Sequence, residues 1–230
     1  MGLDAPAEDA APRGDSALES LRALAEARCR DHGPAHDWSH VERVVALART
    51  IAIAEVANVE VATTAALLHE LVNLPKDHPD SARSGELAAA HAAAALRDAG
   101  AAHLVEPVSA CVRDHAWSRR VVPASLEGRI LQDADRLDAI GAVGVARCFA
   151  TAGELRRPFY DGADPLCRAR VPDDRRFTLD HFFRKLLHLE ATLHTQTARS
   201  LAVPRVAAMR AFLDAFGAEL GIASTHLSDS

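Results

Sequence analysis

Along this chain, blocks in which apolar residues recur every three or four positions alternate with short polar breaks rich in Gly, Pro, Asp and Asn. Spacing of that kind marks amphipathic helices. The pattern begins at Ser16, with Leu18, Leu21, Leu24 and Ala25 on one face, and stops at Asp31-His32-Gly33-Pro34. Asp37 is then placed to N-cap a long second helix whose stripe is His40, Val44, Leu47 and Ile51. A break at Asn58 precedes a third helix, Val61 to Asn73, apolar almost all round and therefore central. Pro75 and Pro79 bracket a loop, after which Ser84 caps an alanine-rich helix that Gly100 ends. Further helices are predicted from Val105 to Trp117, from Leu126 to Thr151 and from Thr178 to Leu193. A last one runs toward Leu220, with Pro204 inside it to kink or divide it. Residues 157–174 are too long for a plain connector and suit a lid or wall.

No segment alternates with the period of a strand, and no repeat recurs. The expected fold is all-α: a single-domain globular helical bundle of about eight helices over residues 17–222. A disordered segment, 1–16, is expected before it and a short tail, 223–230, after it.

Composition narrows the function classes. The 230 residues carry a net charge of −6, which argues against a basic nucleic-acid binder. Any phosphorylated substrate therefore needs local Arg, Lys or metal ions. The opening residues are acidic and rich in Ala and Pro, unlike a signal peptide, and no stretch is apolar enough to span a bilayer. Cys29, Cys111, Cys148 and Cys167 form no CxxC pair, so reduced thiols in a cytoplasmic protein are expected. Twelve histidines stand out against one Tyr and two Trp.

Three segments carry polar groups where an apolar residue is expected. They are His36-Asp37-Trp38-Ser39-His40, then His69-Glu70 in a buried helix, then Asp133, Asp135 and Asp138 in an Ala/Ile/Val-rich one. A carboxylate buried without a partner costs several kcal/mol, so such groups are paired or bound to a metal. Imidazole and carboxylate together suit Mn, Fe, Zn, Ni or Co. A salt bridge from Asp138 to Arg136 or Arg147 is the structural alternative.

The order His40, His69-Glu70, Asp135 resembles the HD-domain superfamily of metal-dependent phosphohydrolases, whose motif is a His, a His-Asp doublet and a distal Asp. The stretches HDWSHVERV, AALLHELVNLPKDHP, VRDHAWS, ILQDADRLDAIGAVGVAR and LDHFFRKLLHL are similar to a YedJ/YpgQ-like bacterial branch, and the likeness runs from about Ser16 to Leu220. The resemblance implies a divalent cation (Mn, Mg, Fe, Ni, Co or Zn) on His40, His69, Glu70 and Asp135. It also implies a second metal site, on His91 and His115, if the centre is dinuclear.

By the same likeness, Asp138, one turn from Asp135, supports the ligands or orients a water, and Asp138, Asp77 or Glu70 helps position or deprotonate that water. Lys76, His115, Arg136 and Lys185 are expected to contact a phosphorylated substrate, a nucleotide such as a nucleoside triphosphate. Arg83 is a further phosphate candidate, and His36 a supporting residue at the helix start. One departure matters: the doublet is His-Glu, and no acid follows it until Asp77. Three other readings stay open: a dinuclear-iron oxygenase using His91 and His115, a non-catalytic nucleotide-binding module, and a (p)ppGpp-type hydrolase. The last is disfavoured by Asn73-Leu74.

Overall fold

The computed structural model describes residues 13–30, 32–33, 35–72, 74, 78–80, 83–116 and 121–222, with side chains from residue 16 onward. Its α-helices are α1 (Arg13–Cys29), α2 (Trp38–Ala54), α3 (Val59–Leu68), α4 (Ser84–Asp98), α5 (Val105–Asp114), α6 (Leu126–Asp138), α7 (Gly141–Glu154), α8 (Asp180–Arg184) and α9 (Gln196–Glu219). Short 3-10 turns lie at Ala102–Leu104, Leu186–His188 and Glu190–Thr192. Among the described residues there is no strand, as the periodicity predicts.

Helix starts follow the capping chemistry. Asp37, Asn58, Ser125 and Thr195 each accept a backbone N–H of the first turn, from His40, Val61, Gly128 and Ala198. Ser84 does not cap α4; Arg83 holds the N-cap position without a side-chain bond. The end of α2 closes with Ala57 N–H on the Ala52 carbonyl, which places Val56 at a left-handed φ of 55°.

α2, α3 and α6 form the centre, packed on one another, with the α4–α5 pair against α3 and α9 against α7 and α6. Val41, Val44, Ile51, Leu68, Leu96, Ile130, Leu131, Leu137 and Leu213 fill the core between them. α3 is buried nearly all round, in agreement with its sequence.

Several boundaries differ from expectation. α1 starts at Arg13, inside the segment expected to be disordered; the expectations for residues 1–12 and 223–230 fall outside the described residues. α3 ends at Leu68, so His69 and Glu70 lie just past its last turn rather than within a helix. There the His69 ring satisfies an end carbonyl, Nδ1 donating to Ala66 O at 2.7 Å.

The long helix expected over Leu126 to Thr151 is two helices. Ile140 is extended and Gly141 has φ 82°, a conformation that favours glycine. Pro204 does not divide α9; it lies on the exposed face, where the carbonyl it frees can meet water. The segment from Thr178 to Leu193 is one short helix and two 3-10 turns.

Residues 155–179 form a pinned wall. Arg170 Nη2 donates to Asp180 Oδ1 at 2.7 Å, and Thr178 and Leu179 N–H groups donate to the Pro158 and Phe159 carbonyls. Beneath lies a cluster of Phe149, Phe182, Phe212 and Phe216. All four cysteines are free thiols. No described helix is long and apolar enough to cross a membrane.

Candidate metal centre

Asp37, by capping α2, sets the register of its first turn and turns His40 inward, where the ring is fully buried. The end of α3 delivers His69 and Glu70, and the inner face of α6 delivers Asp135. These four meet. His40 Nε2 is 3.2 Å from His69 Nε2 and 3.7 Å from both Glu70 Oε1 and Asp135 Oδ1, and His69 Nε2 is 3.8 Å from Glu70 Oε1. His36, His40, His69 and His115 stack edge to face in a row, with ring centroids 5.6, 5.2 and 5.4 Å apart.

The outer nitrogens decide what the inner ones can do. His40 Nδ1 donates to Asp138 Oδ2 at 2.7 Å, so Nε2 carries the lone pair of the neutral ring. The Ala66 carbonyl can only accept, so His69 donates through Nδ1 and likewise presents a lone pair at Nε2. Burial pushes the His69 pKa down to about 4 and keeps that ring neutral.

Burial alone would raise Glu70 and Asp135. The hydrogen bond from His36 and the nearness of the His40 and His69 rings nevertheless hold Glu70 well below the usual carboxylate range, and the neighbouring imidazoles with the Arg147 guanidinium lower Asp135. Two imidazole lone pairs and two carboxylates in this space repel one another unless a cation or a proton lies among them. Burial opposes protonation of His40, but Asp138 and Glu70 outweigh it and raise its pKa, so a proton can take the cation's place. The donor set fits a divalent metal with nitrogen and oxygen preference: Mn, Fe, Co, Ni or Zn, with Mg favoured by the carboxylates alone.

The other expected residues divide. Asp138 lies behind His40, not beside the converging atoms. Both its oxygens are taken, by His40, by Arg43 Nε at 2.7 Å and Nη2 at 3.1 Å, and by Arg147 Nη1 at 2.9 Å. Of the two arginines weighed for that salt bridge, Arg147 is the partner. Asp138 is buried, which would raise its pKa, yet these donors hold it far below the carboxylate range. That position suits orienting His40, the supporting role that the sequence also allows for Asp138.

Arg136 is turned along α6 toward Thr192 O (2.6 Å), Gln132 Oε1 (2.7 Å) and His194 (3.1 Å). His115 reaches the row through His69, its own Nδ1 on the Val112 carbonyl at 2.6 Å. His91 is exposed on α4. Among the described residues, no set of three ligand atoms at metal spacing includes His91 or His115. Lys76 and Asp77 lie outside the described residues. Lys185 is half-buried at the end of α8, where its charge acts on Cys148. Arg83 is exposed beside Asp80 and Glu86.

Sequence reasoning left out Arg43. Its signal is its place one turn beyond His40, on the side that faces α6. His36 is closer to the centre than expected: its Nδ1 is 2.8 Å from Glu70 Oε1, and His36, His40 and Glu70 form a second set of ligand atoms at metal spacing. A cavity of about 460 Å³ is lined in part by Ala116 and Arg136, the residues that directly follow His115 and Asp135 in the sequence. Val121, Val122, Gln132, Thr192 and His194 complete its lining.

The comparisons with known proteins agree with this geometry. Residues 37–140 match the family model described as HD domain. The chain is 35% identical over 195 residues to the uncharacterized protein YpgQ of Bacillus subtilis, covering 81% of this chain and 85% of that protein. The crystal structure of Bacillus subtilis YpgQ in complex with ADP superposes with a TM-score of 0.70 at 32% identity, over 90% of this chain and 96% of that one. An HD-superfamily hydrolase from Bacillus thuringiensis gives a TM-score of 0.70 at 27% identity, over 92% of this chain and 100% of that one. The fold, the convergence of His40, His69, Glu70 and Asp135, and a relative matched over most of its length together place this chain in the HD-domain family.

Proposed function

We propose that this chain is a metal-dependent phosphohydrolase whose substrate is a nucleotide, cleaved at a phosphoester or phosphoanhydride bond. The observation that carries the reading is the meeting of two imidazole lone pairs and two carboxylates from α2, the end of α3 and α6. A divalent cation bound there supplies Lewis-acid polarisation of a phosphoryl oxygen and lowers the pKa of water. The nucleotide part is supported by the ADP complex of YpgQ and by the cavity lined by Arg136 and His194, whose volume is that of a small-ligand pocket.

The chain's own residues then have distinct tasks. His40, His69, Glu70 and Asp135 hold the cation, and Asp138 with Arg43 and Arg147 fixes the His40 ring. His115, at the open end of the histidine row, faces substrate. Lys185, and Lys76 in the segment that follows Glu70, neutralise charge on the phosphates. Proton transfer from water falls to Glu70 or to Asp77, because Asp138 is enclosed by its donors.

The test is purified protein loaded in turn with Mn, Mg, Co, Ni or Zn and assayed for phosphate and pyrophosphate release from a broad nucleotide panel. Release that disappears in Asp135→Ala together with the bound metal is the expected result; no release with any metal sinks the reading. The enclosure of Asp138 and the Glu at position 70 favour one second reading, a module that binds nucleotide without cleaving it. Calorimetric nucleotide binding with no turnover distinguishes it.

A further inference from the structure

Glutamate carries its carboxylate one methylene further from the backbone than aspartate does. In this chain that extra reach ends on a specific partner: Glu70 Oε1 is 2.8 Å from His36 Nδ1, yet 3.7 and 3.8 Å from His40 and His69. The bond leaves the carboxylate leaning on the outermost ring of the histidine row.

His36 is itself held firmly. Its N–H donates to the Gly33 carbonyl at 2.8 Å. The preceding carbonyl, of the buried Ala35, accepts Arg147 Nε at 2.9 Å, and that same arginine holds Asp138. The next residue, Asp37, is the N-cap that fixes His40. The segment bearing His36 is thus tied to α2 and α7, the helices that orient His40.

The two candidate ligand sets, His36-His40-Glu70 and His40-His69-Asp135, both require His40. Its Nδ1 is engaged by Asp138, so only Nε2 is available, and one nitrogen cannot serve two ions. The two sets are therefore one centre.

We propose that His36 is a positioning residue of the metal centre: its Nδ1–H fixes the side chain of Glu70 beside His40 and His69, so that the longer carboxylate works where a shorter one would reach unaided. The inference rests on the metal centre and not on the reaction, so it stands or falls apart from hydrolysis.

The experiment measures Mn and Co affinity by chelator competition in the intact chain. The set is wild type, His36→Ala, His36→Asn, Glu70→Asp, and His36→Ala combined with Glu70→Asp, each checked for an unchanged helical spectrum. Loss of a histidine that orients a metal ligand costs about 10- to 100-fold in affinity, and that loss is expected for His36→Ala. His36→Asn, whose amide N–H stands in for Nδ1–H, is expected to recover most of it. With Glu70→Asp, too short to reach His36, adding His36→Ala is expected to change affinity by no more than about twofold, as for uncoupled sites. Three results overturn the proposal: unchanged affinity in His36→Ala, an equal loss in the Glu70→Asp background, or no recovery in His36→Asn. Wild-type protein that binds neither metal overturns it as well.

Discussion

Asp138 shows how much one carboxylate can organise. It joins α6 to α2 through His40 and Arg43, and to α7 through Arg147. Removing its charge leaves two guanidinium groups without their shared partner and frees the His40 ring to change tautomer. Asp138→Asn is expected to lower stability by about 3–5 kcal/mol, the range for breaking a buried ion pair from one side. It is also expected to weaken metal binding by about 10- to 100-fold. Urea denaturation and metal titration check the two effects separately; full affinity in the variant would remove Asp138 from the support of the centre. The four expected ligands were legible in the sequence because buried His and carboxylate groups need a reason, and because their order is specific. Arg43 was not, because an arginine on an amphipathic helix reads as solvated charge until its neighbour across the helix gap is known. For the same reason, periodicity places Arg136 beside Asp135 but does not show that its guanidinium turns toward Thr192 and His194, where it lines the cavity.

Helix identity was read well from period and caps, whereas helix ends were read less well. Asp37 is legible as a cap because an Asx side chain has few better uses there, whereas Asn58 reads only as a break and its capping of α3 appears in the structure. The α6–α7 break was missed because the run from Asp138 to Thr151 keeps a helical period, and an isolated Gly is tolerated in a helix. The helix breaks at the extended Ile140 and at Gly141, with its φ of 82°, and the turn holds a close contact that no pattern contains. Gly144 sits so close to the Ala139 carbonyl that an added Cβ would be 2.3 Å from its oxygen. That approach lets α7 turn sharply off α6 and bring Arg147 back to Asp138. Gly144→Ala is therefore expected to destabilise the protein by about 1–3 kcal/mol, the scale of an overpacked site. It should weaken metal binding in parallel, since α7 must shift. Thermal melting with and without metal measures both, and a neutral variant would show that the turn has slack.

Across the whole molecule, the wall of residues 155–179 and the histidine row depend on charge in different places. Asp180 is buried, which would raise its pKa, but the Arg170 guanidinium and the Asp173 N–H lower it below its ordinary value. A depressed carboxylate contributes stability that is present above its unfolded pKa, about 3.9. That contribution is lost as pH falls through the lower folded value. Wild type is therefore expected to lose stability as pH drops from roughly 5 to below 3, and Arg170→Leu to show a flatter profile over that window. Equal slopes in the two proteins would remove this ion pair from the acid response.

The sequence by itself determined the all-helical class and the central place of the third helix, which follow from local periodicity. The four candidate ligands come from the order His40, His69-Glu70, Asp135 and its resemblance to the HD-domain family. The tertiary structure decided that Asp138 is enclosed by His40, Arg43 and Arg147, that His91 is exposed on α4, and that His36 comes to rest on Glu70. These depend on which side chains meet across helix packing, between residues 34 and 98 positions apart, and no local pattern encodes that meeting.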